Sequence, residues 1–169
     1  MATMRRILAA LFLTVALPSQ ASFSTFGTGC TLQNQTPAIG NVGLPRIGQT
    51  FSITYSGSNH TYNSAQQIAQ PHLVLGFQQV ITVIPAGLLI YQPAGCLGYM
   101  TPTTVIPMPQ HSSLPRYENG HPIAIPANAN LVGVQFLAQW VTAHTQCGIA
   151  GCGLSAFITS DAAVVTIGP

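Results

Sequence analysis

Two carboxylates, five histidines and four cysteines are the groups through which this 169-residue sequence could do acid–base, metal or covalent chemistry. The acids, Glu118 and Asp161, lie far apart in the chain. A glycosidase pair would need them within several ångströms of each other across a sugar, and nothing local suggests that proximity. Glu118 sits in the polar run Arg116-Tyr117-Glu118-Asn119-Gly120, where a solvated turn or a pair with Arg116 is expected. Asp161 follows Thr159-Ser160 before the last apolar run, a place for a carboxylate that accepts backbone N–H groups in a turn. His60, His72, His111, His121 and His144 form neither H-x-H nor H-E-x-x-H, so local metal chelation is not expected. His111 and His121 bracket the segment holding Arg116 and Glu118, which makes Gln110 to His121 the candidate polar surface loop. There is no G-x-S-x-G elbow, P-loop or dinucleotide fingerprint, and the absence of lysine removes Schiff-base chemistry. The expectation is a protein that is not an enzyme and holds no metal or cofactor.

The cysteines depend on where the chain goes. Arg5 and Arg6 precede the apolar stretch Ile7 to Leu17, which is too short to span a bilayer comfortably. Pro18 breaks that stretch, and Ser19 and Ala21 are small residues at the −3 and −1 positions of a cleavage site before Ser22. Residues 1–21 therefore read as a secretory signal peptide and residues 22–169 as one mature domain. No later stretch reaches membrane-spanning length without Gly, Pro or polar breaks. A secreted or cell-surface location follows, and in it four cysteines read as two disulfides. Cys147 and Cys152 flank Gly148 and Gly151 in a flexible loop that could close on itself; Cys30 and Cys96 would then pair over long range. Zinc is disfavoured, because two C-x-x-C knuckles are missing.

Only 4% of the residues are charged, against about 25% in average domains. Arg5, Arg6, Arg46 and Arg116 are the only fixed cations. A nucleic-acid face is excluded, because phosphate neutralisation needs a patch of Lys or Arg. Disorder is disfavoured by 47% hydrophobic residues and low net charge. A helical bundle would want Glu, Lys and Arg on its outer faces. From Ser22 onward two arginines balance two acids, so the net charge before histidine is zero.

The elements that must position these groups are strands. Gln49 to Ser56 alternates Phe51, Ile53 and Tyr55 with Thr50, Ser52 and Thr54, and Leu73, Leu75 and Phe77 repeat that period. From Val132 to Thr142, Val132, Val134, Phe136, Ala138 and Trp140 share a face opposite Gln135 and Gln139. Ala163 to Ile167 reads as a terminal strand, with shorter candidates at Val80–Ile84, Leu88–Tyr91, Val105–Met108 and Ile123–Ile125. Eight or so short strands separated by Gly, Pro and Asn predict an all-β fold, an antiparallel β-sandwich of which the jelly roll is one form.

Several motifs carry a family resemblance. They are Ser24-Thr25-Phe26-Gly27-Thr28-Gly29-Cys30, Pro93-Ala94-Gly95-Cys96-Leu97, Ile125-Pro126-Ala127-Asn128, Leu131 to Phe136 with Ala138-Gln139-Trp140, and Val165-Thr166-Ile167-Gly168. In that order the chain resembles a family of small, mostly uncharacterised exported β-proteins of environmental bacteria. The resemblance covers nearly all of the chain after Ala21, and its motifs are structural rather than catalytic. It implies that the two Gly-Cys elements form one disulfide, which supports Cys30 with Cys96, and it supplies no activity.

The functional expectation is an exported structural or adhesive protein that self-associates into a filament, layer or matrix, with itself as partner. An uncharged surface lacks the repulsion that keeps secreted monomers apart, and natural sheets often guard their edges with lysine, which this chain lacks. Ser22 to Gly29 is the segment expected to pair with a neighbour, or else to form an edge strand of its own domain. The alternative is a secreted carbohydrate-binding module that stacks surface polysaccharide on Tyr55, Tyr62, Tyr91, Tyr99, Tyr117 or Trp140, although Trp140 shares an apolar face with Phe136 and belongs in a core. Asn34-Gln35-Thr36 and Asn59-His60-Thr61 match the N-glycosylation sequon.

Overall fold

A computed structural model describes residues 19–32, 36–57, 67–87, 89, 91–108, 117–149 and 151–169, with the backbone alone at residues 57, 67, 68 and 117–119. Residues 1–18, both sequon asparagines, His60, Tyr62, His111 and Arg116 lie outside the described residues.

Most of the period-two sequence becomes strand. The strands are β1 (Ser22–Phe26), β2 (Ala38–Val42), β3 (Thr50–Gly57), β4 (Gln67–Gly76), β5 (Gln78–Val83), β6 (Leu97–Thr101), β7 (Thr104–Pro107), β8 (Tyr117–Ala124), β9 (Gln135–Gly148) and β10 (Gly151–Thr166). All their pairings are antiparallel. One sheet has the order β1-β10-β9-β4-β7, a second β2-β3-β8, and β5 pairs with β6 alone.

The five- and three-stranded sheets form the sandwich. Leu73, Ala138, Trp140, Ala163 and Val165 from one inner face meet Ile39, Phe51, Ile53 and Tyr55 from the other. Trp140 and Ile53 have no solvent exposure, and burying one such side chain contributes about 1.5–3 kcal/mol. Polar atoms tie the layers where apolar burial would otherwise strand them. The Trp140 indole Nε1 donates to the Thr54 carbonyl across the sandwich at 3.0 Å, and the Tyr55 hydroxyl meets the Thr142 hydroxyl at 3.1 Å. The Tyr55 and Trp140 rings pack edge to face at 5.5 Å.

The outer face of the five-stranded sheet is covered as well. Val74, Leu137 and Ala162 pack against Tyr99 and Met100 of β6, so the β5–β6 hairpin forms a partial third layer. Here the structure departs from a simple alternation of apolar inside and polar outside. Gln139, on the polar face of β9, is 1% exposed. Its Oε1 accepts from the Tyr99 N–H at 3.0 Å, and its Nε2 donates to the carbonyls of Leu97 and Ser160, each at 2.9 Å. The side-chain amide thus does for β6 what a neighbouring strand would do. Near it, the Tyr99 hydroxyl accepts from the Thr28 N–H at 2.8 Å and donates to its carbonyl at 3.1 Å. Gly27 lies at φ +73°, and a Cβ there would run into the Tyr99 ring. The glycine at position 27 therefore gives clearance to a tyrosine.

Both disulfides form as the spacing suggested. Cys30–Cys96 spans 66 positions and fastens the chain leaving β1 to the chain entering β6, packed against Ile158. Cys147–Cys152 spans five positions and joins directly paired residues at the end of the β9–β10 hairpin.

Three sequence expectations change. The terminal strand is 16 residues long, not five, and Asp161 lies inside it rather than in a turn before it. The 3-10 turn Ala129–Leu131 and the residues after it delay the start of β9 to Gln135. Phe77 falls in the bend after β4 and is 69% exposed. The candidate Leu88–Tyr91 lies partly outside the described residues, and Tyr91 stands in a turn.

Two stability measurements test this reading of the fold. In the chain-entropy model the long disulfide contributes about 4 kcal/mol and the short one about 2 kcal/mol. Urea unfolding of the Cys30→Ala/Cys96→Ala and Cys147→Ala/Cys152→Ala pairs should rank them in that order. Gln139→Leu removes the partner of two buried backbone groups, the Tyr99 N–H and the Ser160 carbonyl, at about 1–3 kcal/mol each, and of the half-buried Leu97 carbonyl. It should lower the unfolding free energy by about 3 kcal/mol or more and speed amide exchange at Tyr99. Wild-type exchange there would show that the amide does not hold β6.

Candidate functional site: the sheet edges and the hairpin surface

The expected polar loop divides in the structure. His111 and Arg116 lie outside the described residues, while Glu118 and His121 stand on β8, paired with Ser56 and Ile53 of β3. His121 is half-buried. Among the described residues no group of three His, Cys, Asp or Glu side chains converges. His72 Nδ1 lies 2.9 Å from the Gln70 carbonyl, and His144 is buried on β9 opposite Ala156 of β10, its carbonyl accepting from the Ser155 hydroxyl at 2.9 Å.

Asp161 is the acid whose surroundings the structure defines. It sits where the β9–β10 register shifts between Thr159 and Ala162, and that shift turns its carboxylate toward the opposite sheet. Oδ1 accepts from the Ile39 N–H of β2 at 2.8 Å. Burial raises the carboxyl above the ordinary value of 3.8, and the Ile39 N–H offsets only part of that rise. The carboxylate is thus occupied in joining two layers.

The aromatic residues weighed as a sugar platform mostly face inward. Tyr55, Tyr99 and Trp140 are buried, and Tyr91 is 53% exposed. Tyr62 and the Tyr117 side chain lie outside the described residues. An open depression of about 370 Å³ is lined by Gln20, Ala21, Leu44, Arg46 and Pro169. It holds one ionisable side chain, and two of its walls belong to the segment read as leader.

The edges are the informative surface. Lysine guards none of them, and other devices stand in its place. β7 is four residues long and ends in Pro107, and β8 carries the exposed Pro122, neither of which can donate to an added strand. β1 is an edge strand of its own domain, paired with Ala162–Thr166 of β10. Where β1 ends, neutral groups continue the cover. The Cys30 N–H reaches the Thr159 carbonyl at 2.9 Å, the Gln92 amide exchanges two 2.8 Å bonds with Phe157, and the Tyr91 N–H reaches the Ser155 carbonyl at 3.0 Å.

β5 is different. All six of its residues, Gln78-Gln79-Val80-Ile81-Thr82-Val83, are exposed, and among the described residues β6 is its only strand partner. Ile81 and Val83 are 64% and 63% exposed. The strand has no charge and no proline, only an irregularity between Gln79 and Thr82. Uncharged, β-branched and open on one edge, it has the composition of a segment that adds to another strand. The sequence marked Val80–Ile84 as a short strand candidate, and period and composition alone did not say whether it faces protein or water.

No protein-family model, curated protein or solved structure matches this chain.

The pH dependence of stability tests the placement of Asp161. Its folded pKa lies above the unfolded value, so the folded state holds the proton more tightly. Its contribution to stability therefore falls as pH rises from 3.8 through the folded value, and levels off above it. Asp161→Asn keeps an acceptor for Ile39 and removes the titration. The difference in urea midpoint between variant and wild type should grow in the variant's favour between acid and neutral pH. A difference of opposite sign would mean that the Ile39 bond outweighs burial.

Proposed function

We propose that this is an exported structural or adhesive protein that self-associates into an extracellular filament, layer or matrix. The observation that carries the reading is β5, six consecutive exposed, uncharged residues on a strand with an open edge. Composition supports it, because the chain beyond Ala21 carries no net charge before histidine and offers little repulsion between copies. The two disulfides fit an oxidising compartment, and no helix among the described residues is long and apolar enough to cross a membrane. The resemblance to small exported β-proteins agrees with this location.

The edge assigned to the contact is β5 rather than β1, which is also an uncharged edge strand, because all six β5 residues are exposed whereas three of the five in β1 are half-buried. A β5 edge that meets its own copy makes a closed dimer, whereas β5 meeting a different surface makes an open assembly.

Light scattering and electron microscopy of the protein without residues 1–21 test the reading. Wild type should form higher assemblies that persist in high salt, because the contact is uncharged. Ile81→Lys alters an exposed side chain, so its thermal unfolding should match wild type, while the assemblies should be lost. A wild-type monomer at high concentration would overturn self-association; assemblies undiminished in the variant would overturn the assignment to β5.

A further inference from the structure

The two disulfides occupy opposite environments. Cys30 and Cys96 are 3% and 0% exposed, and Ile158, Leu32 and Ile84 pack around them. The Thr159 N–H also points at Cys30 Sγ at 3.2 Å. An external thiol has no approach to that bond without unfolding. At the other bridge Cys152 is exposed and Cys147 half-buried, at the outer end of the longest hairpin. Gly148, Gly151 and Gly153 flank it, and no atom stands within 4 Å of where a side chain would project from any of them. The cover along the outer edge of β10 runs from β1 through Cys30, Gln92 and Tyr91 as far as Ser155. Residues Gly151 to Leu154 lie beyond it and are all exposed.

We propose that Cys147–Cys152 is a thiol–disulfide exchange site that accepts an external thiolate at Cys152. Attack follows the line of the S–S bond, so the more exposed sulfur is the one reached. The incoming thiolate forms a new S–S bond to Cys152 Sγ as the Cys147–Cys152 bond breaks, and Cys147 leaves as a thiolate. A second external thiol resolves the mixed disulfide, so that two thiols are oxidised to one disulfide while the bridge is reduced to two thiols. The fold tolerates the opening. The ladder continues at Gln146–Gly153 and Thr145–Leu154, and the Ser155 hydroxyl still holds the His144 carbonyl. This inference is independent of self-association, although an exchange site on an assembling protein would also let neighbours be linked covalently.

The test uses the folded protein and reduced glutathione at about pH 8.5, where a free thiol is about half ionised. Acid quenching, alkylation and peptide mapping should find glutathione on Cys152 and a free Cys147 thiol, with Cys30–Cys96 intact. The short bridge should open at least about tenfold faster than the long one, as exposure demands. Both bridges inert, both opening together, or the adduct confined to Cys147 would each overturn the proposal. Cys147→Ser leaves Cys152 as a free thiol and should form a mixed disulfide with oxidised glutathione at the rate of an unhindered thiol. An unreactive Cys152 in that variant, with the fold intact, would overturn it as well.

Discussion

Trp140 has no direct partner in the β9–β10 ladder, because the register skips between Thr159 and Ala162, and three layers meet at that interruption. The backbone N–H of Trp140 would be orphaned there; the Ser160 hydroxyl takes it at 3.0 Å. The Ser160 carbonyl is freed from the ladder and accepts from Gln139, whose amide also holds β6. The neighbouring Asp161 reaches the other way, to the Ile39 N–H of the three-stranded sheet. One extra stretch of chain in a long strand thus supplies the anchor points for the layer above and the layer below. β-Bulges re-aim side chains in this manner, and a buried donor or acceptor left unmet would cost about 1–3 kcal/mol.

With so few charges, most of the polar work inside the molecule falls to neutral groups, with the Asp161 carboxyl on the Ile39 N–H as the exception. Gln139 and Gln92 each present an acceptor and a donor to main chain, as a strand does. Hydroxyls of Tyr55, Tyr99, Thr142 and Ser160 meet further polar groups at and near the layer contacts. Neutral partners avoid the large desolvation cost that buried ions carry. The edges follow the same rule, since proline, short strands and side-chain amides replace the lysines that commonly guard them. Composition and edge chemistry are therefore one design, and β5 is the strand that these devices leave most open.

The covalent links divide along similar lines. Cys30–Cys96 acts within the buried layer contact and constrains a long loop, while Cys147–Cys152 sits past the last covered residue of β10. The first belongs to the fold. The second lies where solvent and other molecules reach it.

Much of this was written in local sequence. Alternation gave β3 and most of β9, with Phe51, Ile53, Tyr55, Ala138 and Trp140 in the core as expected, because a period of two commits one face of a strand to burial. Cysteine spacing gave both disulfides, and the near absence of charge argued against a helical bundle, in line with the all-strand architecture. Other features depended on contacts distant in the chain. The stretch Gly151 to Ser160, with its glycines and serines, has little strand signal of its own and becomes strand because β9 lies beside it. Gln139 lies on the polar face of β9 and is buried only because the hairpin covers it, and the sheet order alone leaves the apolar Val80, Ile81 and Val83 exposed. Periodicity tells which residues share a face. Only the arrangement of the layers decides whether that face meets protein or water.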